Sequence, residues 1–288
     1  MLTAKRNQKI DFLIYTDQNV DQLEILNAEN IEFKTLSFDD LRKKVQSKFD
    51  FEISLKTPYK LCDYKVAYGF IFEEELKGYD YWGFCDTDVL LGDIYQFLEE
   101  HSFFENDYAR YGLLGHLQIF KNSQEVNHVF MSGQGLNYRL DYHNVFTSEQ
   151  NFIFDEAEGI QKLFEKSGFE QLQDKFFDDI DISHFSFREY GEDEPKRYYS
   201  WSQKHGLKSI NLIEGKIVIK HPLYTHFQKR TIECPEFELV ESFYVIPNQL
   251  VIGEKISKEE LLEVTRNKFY WAYVKSTILK KFKKKNGH

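Results

Sequence analysis

Tyr79-Asp80-Tyr81-Trp82-Gly83-Phe84-Cys85-Asp86-Thr87-Asp88-Val89-Leu90-Leu91-Gly92-Asp93-Ile94 decides how this chain is read. Tyr81 to Cys85 is apolar and aromatic with one glycine, the pattern of a short buried strand. Two carboxylates one residue apart follow it. Burying an uncompensated charge costs several kcal/mol, so the chain must leave the core at Asp86 and meet positive charge there. Ligands of open α/β sheets gather at the carboxyl ends of strands. A hard divalent cation carrying a diphosphate satisfies both demands, with carboxylate and phosphate oxygens filling its shell. The same residues also fit a solvated turn, or the strand-end acids of an aspartyl-phosphate phosphatase. The apolar run Val89-Leu90-Leu91 is a wall that an exposed turn does not need.

The 288 residues suffice for one large domain or two small ones. Hydrophobic residues make up 42% and charged ones 29%, ordinary values for a soluble globular protein. There is no apolar run long enough to span a bilayer and no signal-peptide pattern, and Cys62, Cys85 and Cys234 are odd in number and widely spaced. The expectation is a cytoplasmic protein in a reducing compartment. Charge is uneven: subtracting the six lysines at 275, 280, 281, 283, 284 and 285 from the net −10 leaves −16 on the rest. An acidic body argues against nucleic acid as a partner, and a basic tail argues for an anionic surface.

Outward from the central stretch, Asp11 to Tyr15 reads as a strand entering the polar loop Thr16-Asp17-Gln18-Asn19, and Asp21 to Ala28 as a helix. Ile31 to Leu36 reads as a second strand, and Ser37 with Asp40 as the capping box of a helix to about Phe49. This β-α-β-α opening implies a parallel sheet and a nucleotide-type half-domain, although no glycine-rich phosphate loop follows the first strand. Lys56 to Gly78 reads as one helix with Lys60, Asp63 and Lys65 in its first turn. Asp93 to Phe104 is a helix, and Leu113 to Phe120 a strand broken by Gly115-His116, where glycine admits a close approach. An apolar run ends at Asp155-Glu156, before a helix over 157–168. Residues 170–200 read as an acceptor-side loop region. Hairpins are signalled at Glu214-Gly215 and Pro247-Asn248. Between them His221, His226, Lys229 and Arg230 fall in one short stretch. Ser257 and Glu260 cap a last helix that runs through Trp271 and Tyr273 into the lysines. Two units are expected, a domain over 1–254 and an amphipathic basic helix over 255–288.

The departure of a nucleoside diphosphate from a sugar leaves negative charge to be neutralised. Asp86 and Asp88 suit Mn²⁺ or Mg²⁺, His226 suits a third ligand position, and Lys229 and Arg230 suit direct pairing with phosphate. The Asp-Thr-Asp after an aromatic strand resembles the Asp-x-Asp motif of GT-A fold glycosyltransferases. Pro58 to Asp63, Tyr81 to Asp86, Gly92-Asp93-Ile94 and His226 to Arg230 together resemble a family of bacterial glycosyltransferases of capsule and exopolysaccharide synthesis, over roughly residues 10–250. The resemblance implies a GT-A-like α/β fold: a Rossmann-like nucleotide-binding half, a mixed central sheet and a C-terminal helix. It implies a UDP-sugar donor, with Thr16, Asp17, Lys60 and Asp63 beside Lys229 and Arg230 in its binding. It also implies a saccharide acceptor, in such systems commonly lipid-linked, and hence work at the inner face of the membrane. The acceptor hydroxyl needs a base, and Asp155 and Glu156 are the candidates; a carboxylate pair favoured by a helix N-terminus explains them as well. A non-catalytic carbohydrate-binding module is the remaining alternative.

Overall fold

The computed structural model describes residues 2–21, 28–189, 196–235, 240–253 and 255–264. Phe12–Thr16 and Ile31–Thr35 pair in parallel, as the opening pattern requires. Residues 22–27 of the helix expected over 21–28, and the basic segment from 265 onward with Trp271, Tyr273 and the lysines, lie outside the described residues. The α/β class stands, but the sheets beyond this pair are mixed or antiparallel. Tyr81–Cys85 pairs antiparallel with Leu117–Lys121, which continues through Arg110–Tyr111 to Gln171–Leu172. Val89–Leu91, Tyr224–His226 and Asp178–Asp179 form a three-stranded sheet. Lys216–Lys220, Gly206–Ile213, Lys196–Ser202, Ser242–Ile246 and Gln249–Ile252 form a five-stranded antiparallel one.

The central aromatic strand divides the core by its two-residue period. Trp82 and Phe84 pack into one apolar cluster with Phe120, and Tyr81 packs into a second with Leu117 and Ile119. Trp82 stacks on Phe120 at 4.6 Å between centroids and donates from Nε1 to Asn127 Oδ1 at 2.7 Å. Gly83 is required here, since a Cβ would lie 2.5 Å from the Gln118 carbonyl oxygen. The strand is less buried than its composition predicts: only Trp82 is fully covered, and Cys85 is exposed. A third cluster, with Ile180, Phe187, Tyr199, Trp201 and Phe227, joins the five-stranded sheet to the 178–187 segment.

Ser37 accepts from the Asp40 amide at 3.1 Å and opens the helix Phe38–Gln46, while Ser257 and Glu260 reciprocate at the start of Lys258–Val264. Both hairpins form. Glu214 (φ 48°) and Gly215 (φ 77°) make a two-residue turn, and Asn248 (φ 65°) takes the left-handed position of the other. The single helix expected over 56–78 is instead a succession of short turns: Pro58–Lys60, Leu61–Tyr64, Lys65–Ala67 and Tyr68–Ile71. Lys60, Asp63, Tyr64, Val66, Ala67, Gly69 and Ile71 are all buried. A regular helix would carry an apolar stripe on one side, and this run is covered on several.

The rewinding corrects the roles expected of Lys60 and Asp63. Lys60 Nζ reaches Asp63 Oδ2 at 2.7 Å and the carbonyls of Val145 and Gln150 at 2.9 and 2.5 Å. Asp63 Oδ1 accepts from the Phe152 and Phe154 amides at 3.1 and 2.9 Å. With side chains 4% and 0% exposed, this pair pins the 145–154 loop and has no bond to spare for a nucleotide. Asp63→Ala leaves the Lys60 charge and two amides unmatched, so it should lower the unfolding free energy by about 3–5 kcal/mol in urea titration.

Candidate functional site

Asp86 and Asp88 leave the aromatic strand into a corner where three chain segments meet, each held by backbone hydrogen bonds. The Asp86 amide donates to the His116 carbonyl at 2.7 Å, and the Phe227 amide donates to the Asp88 carbonyl at 3.1 Å. In the three-stranded sheet His226 lies between Val89 and Asp179 in register. Gly92 closes the arrangement, donating to Leu223 O at 2.7 Å where a Cβ would lie 2.4 Å from Pro222 O. As a result one ligand atom each from Asp86, Asp88 and His226 lies within 4.8 Å of the other two. Among the described residues a second such group is His116, Asp179 and His226.

His226 is polarised from both sides. Its Nδ1 lies 2.9 Å from Asp179 Oδ1, and its Nε2 lies 3.4 Å from Asp88 Oδ1. Burial pulls the imidazole down, but the bonds to Asp179 and Asp88 prevail and raise it to about 9. Burial and the neighbouring His226 lower His116 to about 4, and the two rings lie 3.6 Å apart, so one of the pair is cationic and the other neutral. Burial raises Asp88 and Asp179, yet the His226 bonds outweigh it and hold both below the usual carboxylate range.

Lys65 is the second resident cation, and the sequence gives no sign that it differs from its neighbours. Its Nζ donates to Asp86 Oδ1 at 2.5 Å and Gly115 O at 3.1 Å, and lies 3.0 Å from Asp155 Oδ2. The close approach foreseen at Gly115 is made by a carboxylate: a Cβ there would stand 2.6 Å from Asp155 Oδ2. Burial lifts Asp155 to about 7 despite Lys65, and burial raises Glu156 too, against the Gly115 N–H that lowers it. Asp155 and Glu156 therefore do join the Asp86 corner. Asp155 changes its protonation near neutrality, unlike an ordinary carboxylate.

Other expected residues are elsewhere. Arg230 is buried and donates to the carbonyls of Asp181, His184 and Phe185 and to Asn248 Oδ1 at 2.6–3.2 Å, holding a loop instead of a phosphate. Lys229 is exposed, 5.5 Å from the ring centroid of the equally exposed Tyr59. Thr16 and Asp17 bond locally to Gln18, with no hydrogen bond or ion pair to Asp86 or Asp88. His221 is exposed. Asp179, absent from the sequence reading, comes from the stretch assigned to an acceptor loop. Its signal was Phe176-Phe177-Asp178-Asp179, aromatic residues ending in acids as at Phe84-Cys85-Asp86.

Residues 1–254 match the model of a family of unknown function, DUF6625. The chain belongs to that family. No curated protein and no solved structure matches it.

The raised His226 sets a pH dependence in the metal-free protein. Its folded value lies above the ordinary 6.5, so its stabilisation is complete below pH about 6.5 and lost as pH rises through about 9. At lower pH Asp155 and His116 act in opposite directions: ionisation of Asp155 costs stability up to about 7, and His116 gains it between about 4 and 6.5. Melting temperature should therefore fall across pH 6.5–9, and Asp179→Asn should flatten that fall and return the His226 imidazole toward 6.5 in an NMR titration.

Proposed function

We propose that this chain is a metal-dependent glycosyltransferase, moving a sugar from a UDP-type nucleotide donor to a saccharide acceptor in bacterial surface-polysaccharide synthesis. The observation that carries this reading is the meeting of Asp86, Asp88 and His226 at the end of one aromatic strand. The residues fit a divalent cation. Two carboxylates and one imidazole suit Mn²⁺ better than Mg²⁺, and the Asp179 contact leaves Nε2 of His226 aimed at the carboxylates as a ligand should be. The ion, when bound, would neutralise charge on the departing diphosphate.

The chain's own groups supply the remaining needs. Lys65 fixes one Asp86 oxygen, and the carboxylate stays partly open to solvent. Asp155, near neutrality, and the partly exposed Glu156 suit removal of the acceptor proton. Lys229 is the exposed cation of the late block, a candidate for the diphosphate. One observation favours a second reading: a lysine beside the first acid of an Asp-x-Asp also suits phosphoryl transfer through an aspartyl phosphate.

Calorimetry of the full chain with UDP, with and without Mn²⁺, tests the transferase. UDP binding should require Mn²⁺, weaken at least about 100-fold in Asp88→Ala and about tenfold in Lys65→Met. Metal-independent or absent UDP binding, with phosphate released from p-nitrophenyl phosphate, would replace the transferase by the phosphatase.

A further inference from the structure

The five-stranded sheet ends on Lys216-Ile217-Val218-Ile219-Lys220, and every residue of that strand is exposed. Ile217, Ile219, Ile213 and Val218 are 57%, 52%, 49% and 37% exposed. An antiparallel sheet ordinarily packs one face and wets the other. Here neither face of the outer strand is covered by described residues. It follows the tight Glu214-Gly215 turn and pairs only with Gly206–Ile213 among them. Ile217 and Ile219 share one face and Val218 the other, so the apolar surface wraps the edge.

Cations frame this surface. Lys216 and Lys220 stand at its two ends, and Lys258 Nζ lies 3.5 Å from the Gly215 carbonyl at the turn. The chain as a whole carries −10. The helix that begins at Lys258 is followed in sequence by the lysines at 275–285. We propose that this hairpin docks on an anionic lipid surface, its isoleucines entering the headgroup boundary and its lysines meeting lipid phosphates. A second copy of the chain suits the edge poorly. An antiparallel pair centred on Val218 would set each Lys216 against the Lys220 of the other copy, like charges directly opposed. This contact is independent of the sugar-transfer chemistry.

Flotation of the full chain tests it, with phosphatidylcholine vesicles that are pure or about one-third phosphatidylserine. The chain should float with the anionic vesicles only. Ile217→Ser with Ile219→Ser should weaken this about tenfold or more, as should Lys216→Glu with Lys220→Glu. Ile217→Leu with Ile219→Leu should bind like the parent, and none of these exposed substitutions should move the melting temperature. Three results would overturn the proposal: no flotation of the parent, undiminished flotation of the serine variant, or an effect of that variant on a dimer seen by size-exclusion chromatography and not on vesicles.

Discussion

Carboxylates repel one another, and this fold gathers Asp86, Asp88, Asp155, Glu156 and Asp179 around one corner. Two like charges about 4 Å apart, at an effective dielectric near 20, repel by about 4 kcal/mol, so such a gathering needs compensation. The chain meets that cost with two cations of its own. Lys65 binds Asp86 on one side and Asp155 on the other, and His226 lies between Asp88 and Asp179. Each cation is placed by backbone: Lys65 by the turns that replace a continuous helix, His226 by a strand paired on both edges. The corner is thus held together by the chain's own charges. A divalent ion in place of the Nε2 proton of His226 would raise the positive charge held there from one to two, which the nearby carboxylates would offset.

Much of this was legible because the decisive signals are local. An apolar aromatic run that ends in alternating acids has few physical solutions, and Asp86 and Asp88 came from that alone. His226 was marked by the cations beside it, although the feature that counts, its register opposite Val89, is a long-range pairing that composition does not encode. The capping boxes and both hairpin turns were legible for the same reason: each is decided within four residues.

What failed to show was the direction in which charge points. Lys60, Lys65, Lys229 and Arg230 are alike as cations, yet Lys60 and Arg230 are spent on buried carbonyls, Lys65 serves the corner and Lys229 is exposed. The spacing held a partial clue. At about 100° per residue, Lys60 and Asp63 share a helix face while Lys65 lies about 140° from Lys60, so one ligand could not have used all three. Asp179 was hidden by its neighbourhood. Among acids and aromatics its strand is two residues long, too short for any periodicity.

The pairing of Val89–Leu91 with Tyr224–His226 has an implication for how faithfully the chain must fold. Side chains alternate across a strand, so a slip of a single residue would turn the imidazole to the opposite side while preserving the sheet's hydrogen bonds. Such a misassembled molecule would be hard to tell from the correct one by circular dichroism or by size. The grouping of His226 with Asp86 and Asp88 would nonetheless be gone. Gly92, wedged under the Pro222 and Leu223 carbonyls where no side chain fits, is the stop that keeps these two strands in step.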